Sequence, residues 1–251
     1  MVTPGSSREF GRPSRSGLRG RGPGGAVLAA CGVLVAANVA ARVGPRHSTL
    51  VLGPVTALVL VVMARQSGLS YEDMGMGRRH LRRGATYAAV AIGVVAAGYL
   101  VAAAIPATRA AFLDERYQMS LEDAFVTSFI IIPVATVLPE EIAFRGVLWG
   151  LLDRRSGPAT ATIASSVLFG LWHILPSLRL HKVNPAVTAV VGTGWAAQAV
   201  AVTGAVLFTG LAGALMCELR RRSGSLLAPI GLHWAANGLG VVMTSVLTGR
   251  P

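Results

Sequence analysis

Charged side chains are scarce in this sequence. Asp, Glu, Lys and Arg make up 14% of the 251 residues and hydrophobic residues make up 53%, whereas about a quarter of a typical soluble domain is charged. The scarcity excludes an ordinary soluble fold, and several uncharged runs are long enough to cross a hydrocarbon core of about 30 Å. We therefore predict an all-α, polytopic transmembrane helix bundle of about seven or eight helices, with a buried polar site between helices.

Acidic residues are the scarcer charge, with 11 Asp and Glu against 23 Lys and Arg and a net charge of +12. In a soluble protein this excess would suggest nucleic acid, but here the basic residues lie between apolar runs and lack the interleaved aromatic residues of a nucleic-acid surface. The excess therefore predicts membrane topology and no nucleic-acid partner. Cysteine is also scarce: Cys31 and Cys217 form neither disulfide nor metal-site spacing, and we interpret both as small buried hydrophobic residues.

The chain divides into three predicted parts. Residues 1–24 contain five arginines among Gly, Ser and Pro, a composition that predicts a disordered basic cytoplasmic tail able to touch anionic lipid headgroups. Residues 25–118 hold the N-terminal transmembrane helices, and residues 119–247 hold a second helix bundle that carries the polar residues discussed next. The predicted spans are 26–43, 49–65, 84–105, 121–152, 158–176, 186–217 and 225–247.

Basic residues in the short loops predict the orientation in the membrane. They place the N-terminus and the loops 66–83, 153–157 and 218–224 in the cytoplasm, and the Arg- and Ala-rich composition suggests a bacterial plasma membrane. This arrangement requires that residues 186–217 cross only once. Because this run exceeds one ordinary span and its first half is interrupted by Gly192, Gly194, Trp195 and Gln198, we interpret that half as a re-entrant or interfacial segment before a true span near 201–217.

Glu140 and Glu141 stand side by side between two apolar stretches, although each ionisable group at bilayer depth costs about 2.5–3.5 kcal/mol on insertion scales. The proline that precedes them predicts that they begin a helix, where the dipole favours negative charge. Glu141 and Arg145 have the spacing of a helical ion pair, which leaves Glu140 without a local partner. A purely structural role therefore explains Glu141 better than Glu140. Gly146 and Gly150 predict the close approach of another helix.

Two histidines each stand four residues from a side chain on the same predicted helix face. Phe169 and His173 end one apolar run, and Trp172 beside them fits an ordinary interfacial anchor. His233 and Asn237 lie in the last span, so that both can face one cavity. Taken singly, each pair also has a structural interpretation, as an interfacial histidine or as the helix–helix hydrogen bond of an asparagine.

Taken together, the polar residues stand on three separate apolar helices. Buried polar groups in lipid are expected to face the bundle interior and to meet one another. A carboxylate, two imidazoles and an amide around a small pocket suit hydrolysis, because the carboxylate can take a proton from water and a His–Asn pair can donate to an oxyanion. The sequence has no His-Glu-x-x-His motif, no Gly-x-Ser-x-Gly elbow and no pair of membrane aspartates. The predicted nucleophile is therefore water. The four candidate catalytic residues are Glu140, His173, His233 and Asn237.

These motifs resemble the three signature motifs of the CPBP (CAAX-protease and bacteriocin-processing, or Abi) family of intramembrane proteases. The resemblance covers about residues 120–245, and the motifs fit in order and spacing. They are Glu140-Glu141-x-x-x-Arg145, Phe169-x-x-x-His173 and His233-x-x-x-Asn237.

The resemblance implies a catalytic bundle in residues 119–247 that cuts membrane-associated peptide or protein substrates. It implies that Glu140 activates water, that His173 helps to hold the water, and that His233 and Asn237 stabilise the oxyanion. The residues that would support this geometry are Glu141, Arg145 and Phe169.

The resemblance leaves the role of a metal open, because the family is often named as metalloproteases. Glu140, His173 and His233 would then be the three protein ligands of a catalytic zinc. Asparagine is a poor zinc ligand, however, and no carboxylate near either histidine in the sequence is evident to orient it. We therefore favour a mechanism without a cofactor and keep zinc as the alternative.

Two other functions remain as alternatives to an enzyme. A non-catalytic membrane scaffold or a bacteriocin-immunity protein would keep the same fold, but it has no evident need for all four polar residues. A transporter would carry polar residues through the whole bilayer depth, whereas here they concentrate in one set. The expected partners are the lipid bilayer and a membrane-associated peptide or protein substrate.

Overall fold

The protein is an all-α membrane bundle, as predicted. A computed structural model describes residues 23–45 and 48–249, and these contain helices and no strand. The predicted tail 1–24 lies outside the described residues except for its last two positions. The principal helices are α1 (Pro23–Val43), α2 (Thr49–Gln66), α3 (Leu81–Ala104), α4 (Leu121–Ser177), α5 (Pro185–Val191), α6 (Trp195–Ser223) and α7 (Leu227–Thr248).

All of these helices except α5 are long and apolar enough to cross a membrane. Shorter helical turns lie at Arg78–His80, Pro106–Arg109, Ala110–Phe112, Glu115–Tyr117 and Leu180–Val183.

α4 consists of two helical arms joined by a sharp turn. Its 57 residues exceed any single span, and Gly157 breaks it with φ 80° and ψ 170°, a conformation that glycine adopts without a Cβ clash. Residues 121–156 form the first arm and residues 158–177 the second arm. Counting both arms, the described chain has seven apolar crossings, within the predicted range.

The first arm does not begin at the paired glutamates. Wider turns, with hydrogen bonds that span five residues, occupy Thr127–Ile131, Pro133–Val137 and Ile142–Leu148. Such turns let a helix absorb a proline, whose missing N–H deprives a carbonyl one turn earlier of its donor. The prediction that Glu140 and Glu141 begin a helix is therefore wrong, because both lie in mid-helix, where the dipole of a helix end does not act.

The basic loops gather at one end of the bundle. The Arg220 guanidinium donates a hydrogen bond to the Asp73 carbonyl, and the start of α1 at Gly24 lies against the Arg155 guanidinium. These contacts put the start of α1 and the three basic loops on one side, as the predicted topology requires. That this side faces the cytoplasm stays a prediction.

The groove along the end of the first arm holds the loop between α2 and α3. A Cβ atom on Gly150 would lie 2.7 Å from Leu69 Cδ2 and 3.2 Å from the Asp73 carbonyl oxygen, and one on Gly146 would lie 3.4 Å from the Met74 carbonyl oxygen. The two glycines therefore admit a loop, and the prediction that they admit another helix is wrong. Leu69 and Met74 are fully buried there and extend the core of the bundle.

The long run 186–217 contains most of α5 and most of α6, of which only α6 is long and apolar enough to cross a membrane. α5 ends at Gly192 with φ 75°, and Gly194 with φ 100° precedes α6. The seven-residue α5 is too short to span, in agreement with the expected separate first segment. The crossing helix begins at Trp195, earlier than the predicted start near 201, because the two glycines rather than Gln198 mark the break.

Candidate active site

A buried charge cluster joins the first arm of α4 to α7. Arg145 Nη1 donates to Glu141 Oε1 at 2.9 Å, and both side chains are fully buried. His233 Nδ1 lies 2.7 Å from the same oxygen. Because a carboxylate accepts hydrogen bonds, the network assigns the proton to Nδ1 and leaves Nε2 facing the other way. The predicted Glu141–Arg145 pair is present, and Glu141 has a second partner 92 residues away in the sequence.

Glu140 points away from this pair, and its two carboxylate oxygens have different surroundings. Oε1 accepts a hydrogen bond from Trp172 Nε1 at 3.0 Å. Oε2 is buried, has no hydrogen-bond partner among the described residues, and lies 3.9 Å from His233 Nε2. That distance is too long for a direct hydrogen bond. Glu140 therefore has one fixed oxygen and one that faces an imidazole.

The Phe169 ring connects the motifs. It lies edge-to-face with His173 at a centroid distance of 4.7 Å and with His233 at 5.9 Å. The Arg145 Cζ atom lies 3.9 Å from the centroid of the same ring, which gives the buried cation a π face as well as a carboxylate. Phe144 packs against Phe169 at 5.1 Å. Phe169 therefore contacts both histidines and Arg145, and its supporting role in catalysis stays a prediction.

His173 is oriented by the backbone of its own helix. Its Nδ1 lies 2.8 Å from the Phe169 carbonyl oxygen, and since a carbonyl only accepts, Nδ1 carries the proton. Nε2 then has a free lone pair and forms no hydrogen bond to the described residues. The predicted shared face of Phe169 and His173 is present.

His173 is connected to this cluster only through the Phe169 ring, and Asn237 forms no hydrogen bond or ring contact with it in the described part of the chain. His233 is buried, but Asn237 is exposed and forms no side-chain hydrogen bond with the described part of the chain. It lies in a wide turn, Ala235–Leu239, which changes the angular spacing from that of a regular helix. The role of Asn237 therefore stays a prediction.

The three motifs also coincide with a family match. Residues 122–239 match the model of a family described as type II CAAX prenyl endopeptidase Rce1-like. This segment, a little under half of the chain, is thus similar to the CPBP family of membrane proteases. The described chain has the long apolar helices of an integral membrane protein, and all three CPBP motifs lie inside the residues that match this protease family. Comparisons with curated proteins and with solved structures found no match.

Trp172 is the residue of this CPBP site that the sequence interpretation missed. The interpretation of Trp172 as an ordinary interfacial anchor is wrong, because its indole N–H is bonded to Glu140. A half-buried indole needs a partner for its N–H. The position of Trp172 next to the candidate catalytic residue His173 is the sequence feature that could have placed this indole at the site. Nothing in the sequence spacing identifies Glu140 as that partner.

A small, partly open cavity of about 50 Å³ reaches Glu140 from between α1, α2 and the first arm. α1 and α2 lie outside the matched CPBP segment, yet they contribute more than half of the wall. The lining is mostly apolar and small. It consists of Leu34, Ala37, Ala41, Thr49, Leu52, Gly53, Thr56, Ala135, Pro139, Glu140, Ala143, Phe144 and Trp172.

The three residues that would bind zinc do not form one donor set here. Within residues 23–45 and 48–249, no three His, Cys, Asp or Glu side chains are grouped to hold a metal ion. The geometry therefore does not fit a zinc bound by Glu140, His173 and His233. The lack of a carboxylate near His233 in the sequence does not decide against a metal, because Glu141, 92 positions away, orients His233 in the way that carboxylates orient metal-binding histidines.

Proposed function

We propose that the protein is an intramembrane endopeptidase that hydrolyses peptide bonds of membrane-associated substrates with water activated by Glu140. The observation that carries the proposal is the asymmetry of this carboxylate: Trp172 fixes Oε1, while the buried Oε2 has no hydrogen bond to the described residues and faces His233 Nε2 at 3.9 Å. A general base needs a fixed orientation and an oxygen within reach of the proton that it takes.

In the proposed reaction, Glu140 Oε2 and His173 Nε2 hold the attacking water. The water gives one proton to Glu140 as its oxygen attacks the peptide carbonyl carbon, and the carbonyl oxygen takes the negative charge. Protonated Glu140 then gives that proton to the amide nitrogen, and the C–N bond breaks to release an amine and a carboxylic acid. The Glu140 carboxylate is restored, and no cofactor is consumed.

The proposed oxyanion donors are His233 and Asn237. In its protonated state His233 can donate from Nε2, and Glu141 on Nδ1 stabilises the positive ring, as the buried aspartate does in a Ser-His-Asp triad. Such donors act strongly where water is excluded, and His233 is buried. The exposed Asn237 amide is the second donor, which meets the substrate from the open side.

The cavity beside Glu140 is the proposed place for the substrate segment next to the scissile bond. Its apolar lining from α1 and α2 suits a hydrophobic stretch of a membrane-associated chain, and Glu140 is a polar group on its wall. The amide to be cut would thus lie at the boundary between the apolar cavity and the charged cluster.

The test is cleavage of a library of membrane-associated peptides by the purified protein in liposomes, with products identified by mass spectrometry. The wild type should cut a subset of peptides, Glu140→Ala should cut none of them, and a chelator should leave cleavage unchanged. Cleavage by Glu140→Ala would overturn the mechanism. Loss of activity on chelation that zinc restores would overturn the metal-free chemistry, and no cleavage at all by the wild type would favour a scaffold.

We also propose that the basic end of the bundle faces the cytoplasm of a bacterial cell. Seven crossings from a cytoplasmic N-terminus put the end of α7 on the opposite side. An alkaline phosphatase fused after the chain should therefore be active in bacterial cells. If that fusion is inactive and an alkaline phosphatase inserted in the 153–157 turn is active, the orientation is the opposite of the one proposed.

A further inference from the structure

A hydrogen bond from α1 reaches the candidate site. Asn38 is the only residue with a polar amide side chain in the apolar run 26–41. Its Nδ2 donates to the Trp172 carbonyl oxygen at 2.9 Å. Trp172 in turn donates from Nε1 to Glu140 Oε1 at 3.0 Å. A continuous connection therefore runs from α1 through the second arm of α4 to the carboxylate on the first arm.

The Trp172 carbonyl needs a donor from outside its own helix. Residue 176, four positions on, is a proline, and proline has no N–H to give to the carbonyl one turn earlier. The helix also breaks at His173, with φ −83° and ψ 0°. In the hydrocarbon region an unpaired carbonyl is strongly unfavourable, because no water is present to replace the missing donor. Asn38 supplies the missing donor, and this holds the end of the second arm in place.

We propose that Asn38 is a positioning residue for catalysis, acting through Trp172 on Glu140. Asn38 fixes the backbone at Trp172, which fixes the indole, and the indole holds Glu140 Oε1 so that Oε2 faces His233. The role in catalysis rests on the proposed function of Glu140. It extends the site beyond residues 122–239, the segment that matches the family, to α1, which also contributes Leu34, Ala37 and Ala41 to the cavity wall.

The proposal predicts an effect on kcat with KM little changed. Asn38 is not among the residues that line the cavity, whereas its neighbour Ala37 is. Replacing Asn38 by leucine should therefore leave substrate binding intact and disturb only the orientation of the base. From the ordinary worth of one neutral hydrogen bond, kcat should fall roughly threefold to tenfold. Trp172→Phe removes a bond to a charged group, and kcat should fall about tenfold to a hundredfold.

The double variant separates this connection from general damage to the fold. Because both residues act through the same bond to Glu140, adding Asn38→Leu to Trp172→Phe should lower kcat little further. If the two changes had independent structural effects, their fold-losses in kcat would multiply. Asn38→Gln, which keeps the amide, should recover part of the rate. Val39→Leu on the exposed face of α1 is the matched control and should leave kcat unchanged. Multiplying losses, or no loss in Asn38→Leu, would overturn the proposal.

A spectroscopic measurement tests the connection without any activity. In protein labelled with ¹⁵N-tryptophan, Trp172→Phe identifies the indole N–H resonance of Trp172. Asn38→Leu and Glu140→Ala should both shift that resonance, and Val39→Leu should not. If Glu140→Ala retains activity but Asn38→Leu still shifts the resonance, the proposed function fails and the connection stands. If Asn38→Leu leaves the Trp172 indole resonance unshifted, the connection is refuted, whatever the cleavage activity of the variants.

Discussion

Glu141→Gln should destabilise the protein strongly, because it removes the carboxylate that neutralises a buried cation. Glu141 and Arg145 are both fully buried, and Arg145 Nε and Nη2 have no hydrogen-bond partner among the described residues. Removing one partner of a buried ion pair costs about 3–5 kcal/mol, whereas whole domains are stable by only about 5–15 kcal/mol. The same change also weakens the bond to His233, which deepens the loss.

Glu140→Gln is the matched control for this prediction. The glutamine amide oxygen can still accept from Trp172, and Oε2 of the native glutamate has no hydrogen-bond partner to lose within residues 23–45 and 48–249. Its effect on the free energy of unfolding should therefore be below about 1 kcal/mol. Adding Arg145→Met to Glu141→Gln should recover part of the stability, since replacing both partners costs less than breaking the pair.

The assay is the thermal unfolding midpoint of the purified protein in one detergent. From highest to lowest midpoint, we expect the wild type together with Glu140→Gln, then the double variant, then Glu141→Gln. A Glu141→Gln midpoint equal to that of Glu140→Gln would refute the reasoning, since it would mean that Arg145 is neutralised by something other than Glu141.

Two further predictions concern packing and pH. A Cβ atom on Gly170 would lie 2.6 Å from the Val206 carbonyl oxygen, whereas one on Gly204 would meet no described atom within 4 Å. Gly170→Ala should therefore lower the free energy of unfolding by about 1–3 kcal/mol. Gly204→Ala should leave the thermal unfolding midpoint unchanged or raise it. In the loop before α4, burial raises the pKa of the Asp114 carboxyl, but the hydrogen bonds and charge of Arg116 outweigh it and hold that pKa below its usual range. Because a lowered folded-state pKa stabilises above the unfolded value of about 3.9, Asp114→Asn should cost about 1 kcal/mol at neutral pH. The difference from the wild type should vanish as the pH falls below 4, and a difference independent of pH would contradict this account.

Much of the site was predictable because helical spacing is local. Four residues separate Glu141 from Arg145 and Phe169 from His173, and both contacts occur as the spacing indicates. The convergence of separate helices was also predictable, since the bilayer leaves buried polar groups few partners except one another.

The assignment of partners across helices was not predictable from spacing. The sequence does not show that His233 binds Glu141 rather than Glu140, because that choice depends on helix rotation. The bond from Asn38 to Trp172 spans 134 positions and has no local signal beyond one amide in an apolar run. The paired glycines Gly146 and Gly150 indicated a close approach correctly, but not that a loop rather than a helix makes it.

The most direct test of the central claim is the cleavage rate of Glu140→Gln on a peptide that the wild type cuts, measured at a temperature where both are folded. If Glu140 activates the water, kcat should fall by roughly a hundredfold or more, since general acid–base groups contribute about 10²–10⁴-fold. KM should change little. A Glu140→Gln enzyme that keeps a rate within a few-fold of the wild type would contradict the account.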